Sequence, residues 1–242
     1  MHTSHTNLRE KFQIILQMLI KAVLTLVFKI MFRVEIVGAH KAVEEIKNAQ
    51  KKGKGMLLVA NHTNELDGPF LRAFLPLPWL SDPMYYVAMT SEHYNKSVFD
   101  WRKYAYGGWL FRVLGAFPAY KGMQDYQASL VNHIELLEQQ KIVCIFPEGR
   151  INRDPSVVSE VRGGVGFLAD FTDTDIIPVK TEGLQQLSWK NALLGRRPLI
   201  RITYKPLVTI AELMQNSRDK HIPTGVEMYK DVAQQAMAIV RN

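Results

Sequence analysis

A histidine and an aspartate, His62 and Asp67, stand five residues apart directly after the apolar run Met56–Ala60. A turn between them lets the Asp67 carboxylate reach back to the Nδ1 proton of the imidazole, which leaves Nε2 as a proton acceptor. The carboxylate also stabilises the imidazolium that forms when a proton is taken. This pair predicts a general base that activates a hydroxyl group of the substrate, without a nucleophilic side chain.

Other kinds of catalytic site find less support in the sequence. The chain has no Gly-x-Ser-x-Gly turn of the kind that presents a serine nucleophile. The single cysteine, Cys144, lies in an apolar run, which is typical of a buried thiol. One histidine with an aspartate and a glutamate at loop spacing does not select a metal, so we expect no metal site. A His–Asp pair at this spacing also arises by chance, which leaves a purely structural role open.

A second polar motif follows another apolar run. Residues 146–153 read Phe-Pro-Glu-Gly-Arg-Ile-Asn-Arg, directly after the apolar residues 142–145. Ligands of open α/β sheets bind where the strands end at their carboxyl side. We therefore expect this motif and the His–Asp pair at the same edge of one sheet.

Alternating strands and helices are expected to position both motifs. Short apolar runs typical of buried strands recur at 56–60, 85–88, 142–146, 176–180 and 199–204. Helical spacing lies between them, and Thr224 with Glu227 predicts a capping box at the start of the closing helix. This alternation predicts an α/β fold with helices on both faces of the sheet.

Length and composition indicate one globular domain with a basic amino-terminal segment. The chain has 242 residues, of which 47% are hydrophobic and 22% charged, and its net charge is +7. Residues 1–54 carry ten Lys or Arg against four Asp or Glu, which points to an anionic partner. Nucleic acid is the weaker partner, since the segment has no nucleic-acid-binding motif or stacking aromatics. A single cysteine cannot form an internal disulfide, which is typical of proteins that face the cytosol.

The apolar segment 12–32 predicts a membrane-associated helix or helix pair. Polar residues interrupt it at every fourth position: Gln13, Gln17, Lys21, Thr25 and Lys29. The segment is long enough to span a bilayer, but Lys21 at mid-depth would cost about 2.5 to 3.5 kcal/mol. We therefore favour a helix that lies in the membrane interface over one that spans or one that packs in the core. Residues 1–38 are assigned to this segment and 39–242 to a catalytic domain.

Two further groups allow ordinary structural interpretations. His133 stands in a polar helical context, which is typical of a solvated surface residue. Arg196, Arg197 and Arg201 form a basic cluster that either meets anionic head groups or belongs to a plain solvated turn.

Together the motifs resemble the glycerolipid acyltransferase superfamily of 1-acylglycerol-3-phosphate and lysophospholipid acyltransferases. The resemblance rests on Asn-His-x-x-x-x-Asp at 61–67 and on Phe-Pro-Glu-Gly at 146–149. Looser blocks lie at 115–121 and 175–179. It implies a single acyltransferase domain with a mixed, mostly parallel sheet, and a peripheral protein on the cytoplasmic face of a membrane.

The resemblance also implies roles for particular residues. His62 would deprotonate the hydroxyl of a lysophospholipid, most simply 1-acylglycerol-3-phosphate, and Asp67 would hold the imidazole. Three residues of the second motif would line the acceptor site, with Lys121 at its phosphate: Glu148, Gly149 and Arg150. The acyl donor would be acyl-CoA or an acyl thioester of acyl carrier protein, with no permanently bound cofactor.

This sequence departs from the common family pattern at two places. Lys121 stands where many members have arginine, and a lysine lacks the guanidinium fork that holds a phosphate at two points. The arginine of the second motif, Arg150, comes one place earlier than usual. That order is similar to acyltransferase domains that act on lysophosphatidylethanolamine, which is the alternative acceptor. A lipid-binding protein of the same fold that transfers nothing is the non-catalytic alternative.

Overall fold

The structure is a computed structural model that describes residues 8–75, 84–88, 115–120, 125–154, 160–185 and 195–242. The strands within these ranges are β1 (Arg33–Val37), β2 (Met56–Ala60), β3 (Met84–Ala88), β4 (Ala116–Pro118), β5 (Ile142–Ile145), β6 (Ile176–Glu182) and β7 (Leu199–Tyr204). The helices are α1 (Leu8–Met31), α2 (Ala39–Lys51), α3 (Asp67–Phe74), α4 (Tyr126–Ser129), α5 (Val131–Glu138), α6 (Gly164–Phe171), α7 (Ile210–Asp219) and α8 (Val226–Arg241).

The described strands form one sheet in the order β1-β7-β6-β2-β5-β3-β4. Every neighbouring pair is parallel except β6 and β7, which run antiparallel. The predicted mixed, mostly parallel sheet is therefore confirmed. Because β2 lies directly between β5 and β6, the segments that follow β2 and β5 leave the same edge of the sheet side by side.

Helices cover both faces of this sheet, as predicted. The side chains of β2 alternate between the two faces, so that Met56, Leu58 and Ala60 join one apolar core and Leu57 and Val59 join the other. The first core is closed by α1, α2 and α3, and the second by the helices from α5 onward. All five residues of β2 are buried, which explains why its sequence is a continuous apolar run.

The five predicted strands are all present, and the structure adds β1 and β4 at the two edges of the sheet. Most side chains of β1 are exposed, and β4 has only three residues, so neither gives an apolar run. Cys144 lies on β5 with no exposed surface, as predicted. Burial raises the pKa of its thiol, which keeps the thiol protonated and unreactive.

Helix α1 is one continuous helix. Gln17, Lys21 and Thr25 of its polar stripe face the protein, whereas Lys29 is exposed. Gln17 is 3% exposed, whereas the apolar side chains on the opposite side are between 40% and 64% exposed: Ile15, Leu19, Val23, Leu26, Val27 and Ile30. These six residues are called the outer face of α1 below. The sequence period predicted the stripe but not which side of α1 faces the protein, because the stripe forms hydrogen bonds with α3, which lies much later in the chain.

Two local expectations are wrong. The capping box of Thr224 and Glu227 does not form, because α8 begins only at Val226 and its N-cap is Gly225, at φ 96°. His133 is fully buried between α5 and the sheet, with its Nε2 atom 3.4 Å from the carbonyl oxygen of Tyr86. Burial lowers the pKa of His133 to about 4, so the ring is neutral at pH 7.

The basic cluster lies at the carboxyl end of α1. The guanidinium of Arg197 donates hydrogen bonds to the carbonyl oxygens of Lys29, at 2.6 Å, and Phe32, at 3.2 Å. A cation at this end of a helix complements the helix dipole and the free carbonyl groups. Arg201 forms an ion pair with Glu35 at 2.9 Å. Part of the cluster therefore has a structural role in holding α1 and β1.

Candidate active site

The loop after β2 brings His62 and Asp67 into contact. The Nδ1 atom of His62 lies 3.0 Å from Oδ2 of Asp67. The Asp67 side chain has no exposed surface, whereas 22% of the His62 side chain is exposed. Nδ1 contacts the carboxylate, and Nε2, on the other side of the ring, has no hydrogen-bond partner among the described residues.

Several donors fix the carboxylate of Asp67 in addition to the imidazole. The backbone N–H groups of Thr63 and Asn64 donate to Oδ2, and the Thr63 hydroxyl donates to Oδ1 at 3.1 Å. Asp67 is also the first residue of α3, where the helix dipole favours a negative charge. These contacts hold the carboxylate in place, and the carboxylate in turn orients the imidazole as a base.

The asparagines on either side of His62 and Thr63 tie this loop to β6 and the turn beyond it. The side chain of Asn61 donates to the carbonyl oxygen of Thr181 at 2.9 Å and accepts its backbone N–H at 2.8 Å. The side chain of Asn64 donates to the carbonyl oxygen of Leu184 at 3.0 Å and accepts the N–H of Leu66. The loop that carries the imidazole is thus rigid on the side of β6.

The second motif contacts the imidazole from the side of β5. The ring of Phe146 stacks on the ring of His62 with centroids 4.5 Å apart, and the N–H of Asn152 donates to the carbonyl oxygen of His62 at 2.7 Å. The Oε1 atom of Glu148 accepts the backbone N–H of His62 at 3.3 Å. Both motifs therefore meet at one edge of the sheet, as the strand order predicts.

Glu148 is 5% exposed, and its Oε2 atom is buried without a hydrogen-bond partner among the described residues. The residue points toward the backbone of the His62 loop and supports that loop. Its place at the acceptor site stays a prediction.

Gly149 and Arg162 form a contact that the sequence did not suggest. Gly149 has φ +61°, a conformation that favours glycine, and a Cβ atom there would lie 2.8 Å from Nε of Arg162. The N–H of Arg162 donates to the carbonyl oxygen of Pro147 at 2.9 Å, so the segment before α6 lies on the second motif. Arg162 is exposed, and its guanidinium lies beside Gly149 of the second motif. The only local signal is an Arg-Gly-Gly sequence in front of an apolar helix.

Of the two remaining predicted site residues, the structure describes Arg150 but not Lys121. Arg150 is exposed on the second motif, immediately after Gly149. Lys121 lies outside the described residues. Within the described ranges, no group of three or more His, Cys, Asp or Glu side chains lies close enough to hold a metal ion.

Parts of this chain are similar in sequence to known proteins. A family profile described as Acyltransferase matches residues 40–182. A protein named Taffazin from Dictyostelium discoideum is 27% identical over 175 residues, which are 68% of this chain and 56% of that protein. An N-acylphosphatidylethanolamine synthase from Arabidopsis thaliana is 23% identical over 197 residues, which are 78% of this chain and 66% of that protein.

A solved structure shares the fold. The 1-acyl-sn-glycerophosphate acyltransferase PlsC from Thermotoga maritima superimposes with a TM-score of 0.61 over 96% of this chain and 80% of that chain, at 19% identity. The chain spans less than two thirds of the length of the two curated relatives. Because the family profile covers more than half of the chain, and includes both the His62 loop and the second motif, the chain belongs to the acyltransferase family of glycerolipid enzymes.

Proposed function

We propose that this protein transfers a fatty acyl group from an acyl thioester to the hydroxyl of a lysophospholipid, with 1-acylglycerol-3-phosphate as the first candidate acceptor. The observation that carries the proposal is the contact between His62 and Asp67, at 3.0 Å, at the edge of the sheet, where the imidazole is partly exposed and the carboxylate is buried. A binding protein needs neither an oriented imidazole nor a buried carboxylate to hold it. Membership of the acyltransferase family supports the same reaction.

In this reaction His62 is the general base. Its Nε2 atom takes the proton of the acceptor hydroxyl while the hydroxyl oxygen attacks the carbonyl carbon of the thioester. The carbon–sulfur bond then breaks, and the thiolate leaves with the proton that the imidazolium returns. Asp67 keeps the proton on Nδ1 and stabilises the positive ring between the two transfers.

The basic side chains beside this edge bind the acceptor phosphate. Arg150 and Arg162 are exposed on the second motif and the segment that packs on it, and Lys121 is the third candidate. A guanidinium offers two parallel donors to a phosphate, so Arg162 supplies the fork that a lysine at 121 lacks. Gly149 lets this side chain lie close to the motif, and Glu148 supports the backbone of His62.

The outer face of α1 contacts the bilayer. Part of α1, Ile14–Met31, is long and apolar enough to cross a membrane by itself. However, α1 packs along α3 through Gln17, Lys21 and Thr25, so we propose that it lies in the interface on the cytoplasmic face rather than spanning. A lipid acceptor then reaches the imidazole without leaving the membrane surface.

A panel of acceptors with one labelled acyl thioester tests this function. The acceptors are 1-acylglycerol-3-phosphate, lysophosphatidylethanolamine and monoacylglycerol, each offered with the same labelled acyl group first as acyl-CoA and then as the thioester of acyl carrier protein. We expect label in phospholipid, fastest with 1-acylglycerol-3-phosphate. Faster labelling of lysophosphatidylethanolamine would move the assignment to the alternative acceptor, toward which the order Glu-Gly-Arg in the second motif points.

Two outcomes would contradict the proposal altogether. Label that appears only as free fatty acid would indicate a thioesterase, with water in place of the lipid hydroxyl. Lipid binding without any turnover would indicate the non-catalytic alternative. The labelling rate of His62→Ala is measured with each acceptor as the rate without the general base.

A further inference from the structure

A buried arginine joins α1 to the helix that begins with Asp67. Arg72 lies on α3 and is 5% exposed. Its Nη1 atom donates to the carbonyl oxygen of Met84 on β3 at 2.8 Å, and its Nη2 atom donates to Oε1 of Gln17 on α1 at 2.9 Å. Within the described ranges no carboxylate forms an ion pair with Arg72, and both acceptors of its Nη atoms are neutral oxygens.

Such a residue is a costly way to gain stability. Moving a charged side chain out of water carries a penalty of several kcal/mol, and two bonds to neutral acceptors offset it only in part. The Nε atom is also buried, with no hydrogen-bond partner in the part of the chain that the structure describes. An apolar residue of similar size would stabilise the contact at least as well. The guanidinium instead fixes orientation, because its hydrogen bonds to β3 and α1 form only when α3 is placed correctly against both.

The same face of α3 is held again near Asp67. Gly68 stands four residues before Arg72, which places both on one side of the helix. The hydroxyl of Tyr86 donates to the carbonyl oxygen of Gly68 at 2.9 Å, and its ring would lie 3.3 Å from a Cβ at that position. Helix α3 is therefore anchored at its first turn by Tyr86 and at its last turn by Arg72.

Helix α1 completes the anchor at the carboxyl end of α3. Lys21 donates to the carbonyl oxygen of Leu75 at 2.9 Å, and Thr25 donates to that of Ala73 at 3.0 Å. One turn further along α1, Phe28 stacks on Phe70 with ring centroids 4.0 Å apart. Lys21 and Thr25 thus donate hydrogen bonds to carbonyl groups at the end of α3, which have no partner within the helix.

We propose that Gln17 and Arg72 are positioning residues that fix the rotation of α3, and through it the placement of the Asp67 carboxylate against His62. Side-chain atoms lie about 5 Å from a helix axis, so a rotation of about 10° moves them by about 0.9 Å. A displacement of about 1 Å in a catalytic group lowers a rate by up to about 10²-fold. The helix that presents its outer face to lipid is then also part of the framework of the active site. This inference rests on the proposed function, in which Asp67 orients the general base.

Substitution of Gln17 tests the inference in the full-length chain in detergent micelles. Gln17→Leu removes the acceptor for Nη2, whereas Gln17→Glu keeps an oxygen at the same reach. The matched control is Gln215→Leu, the same change at an exposed position on α7. Three readouts are compared: the thermal unfolding midpoint, kcat with KM for the acceptor, and the downfield proton NMR resonance of the His62 Nδ1–H bonded to Asp67.

We expect Gln17→Leu to lower kcat by at least about tenfold, to leave KM within about twofold, and to shift or broaden the downfield resonance. Gln17→Glu and Gln215→Leu should keep the wild-type rate and resonance. A Gln17→Leu protein with wild-type kcat and resonance would overturn the inference, whatever its unfolding midpoint. If Gln17→Leu does not fold, Gln17→Asn, which is one methylene shorter, is judged by the same criteria.

The NMR readout separates this inference from the proposed function. If the wild-type chain transfers no acyl group, the proposed function fails. The resonance still reports whether Gln17 controls the contact of His62 with Asp67: a shift in Gln17→Leu alone supports the positioning role, and no shift contradicts it.

Discussion

The Nδ1 atom of His62 and the Oδ2 atom of Asp67 lie 3.0 Å apart across a turn in which the same Oδ2 atom accepts two backbone N–H groups. Those two N–H groups leave the carboxylate no freedom to rotate away from the imidazole. The charge and the orientation of Asp67 are therefore separable by mutation.

Asp67→Asn is expected to keep the orientation and lose the charge. The two backbone N–H groups require an oxygen at the Oδ2 position, so the new amide nitrogen faces the Thr63 hydroxyl and the amide oxygen still accepts from His62. Loss of the negative charge removes the stabilisation of the imidazolium, and we predict that kcat falls by about 10²-fold or more. Steady-state kinetics with labelled acyl thioester measures it, with Thr63→Val as the control that removes only one bond. Wild-type kcat in Asp67→Asn would contradict the role of Asp67.

Arg162→Gln should weaken the binding of acceptors that carry a phosphate and leave the binding of other acceptors unchanged. The guanidinium is exposed beside Gly149, so its loss removes a charge-assisted hydrogen bond of about 1.5 kcal/mol. We expect KM for 1-acylglycerol-3-phosphate to rise by about tenfold with kcat unchanged, and KM for monoacylglycerol to stay the same. Arg218→Gln on α7 is the control. An equal change in KM for both acceptors would mean that Arg162 does not bind the phosphate.

The outer face of α1 should determine attachment to membranes. Replacing Leu19 and Leu26 by serine removes about 2 kcal/mol of apolar burial at each position, so partition onto anionic vesicles should fall by about 10³-fold. Point substitutions are preferable to deletion, because Phe32 at the end of α1 is buried in the core and deletion would expose that core. Vesicle co-sedimentation measures the partition, and added salt should weaken attachment of the wild-type chain. Unchanged partition of the double variant would exclude this face as the lipid contact.

His133 should make the fold sensitive to acid. Its pKa is about 4 in the folded chain because of burial, against about 6.5 when unfolded. Below pH 6.5 the unfolded chain therefore binds a proton that the folded chain does not, and stability falls until about pH 4. Between pH 7.5 and pH 5 this group should lower the free energy of unfolding by about 2 kcal/mol.

His133→Leu should remove that part of the pH dependence. Urea unfolding of both proteins at pH 7.5 and pH 5 measures it, with His40→Gln, at an exposed position on α2, as the control. If wild type and His133→Leu lose the same stability between these two pH values, the buried histidine is not the cause.

The central part of the fold was predictable because its signals are local. The strands β2 and β5 are buried on both faces, so their sequences are continuous apolar runs, and each is followed at once by a polar motif. Parallel neighbours end at the same edge, which brings Phe146 and Glu148 to His62. The contact of His62 with Asp67 needs only a turn of five residues.

The features that the sequence did not reveal depend on distant contacts. Arg162 packs on Gly149 because α6 returns to the same edge of the sheet, and no spacing rule connects the two. The stripe of α1 is visible as a period of four, but only α3 explains why Gln17 is buried and the opposite side exposed. Strand β1 has mostly exposed side chains and is recognisable only by its pairing with β7.

The rate of acyl transfer by His62→Ala tests the central claim most directly. The full-length variant is incubated with labelled acyl thioester and 1-acylglycerol-3-phosphate, and its fold is checked by circular dichroism, with His40→Ala as the matched control. The account predicts that the variant stays folded and that labelled phospholipid forms about 10² to 10⁴ times more slowly than with wild type. Labelled phospholipid formed at the wild-type rate would contradict the assignment of His62 as the base that activates the lipid hydroxyl.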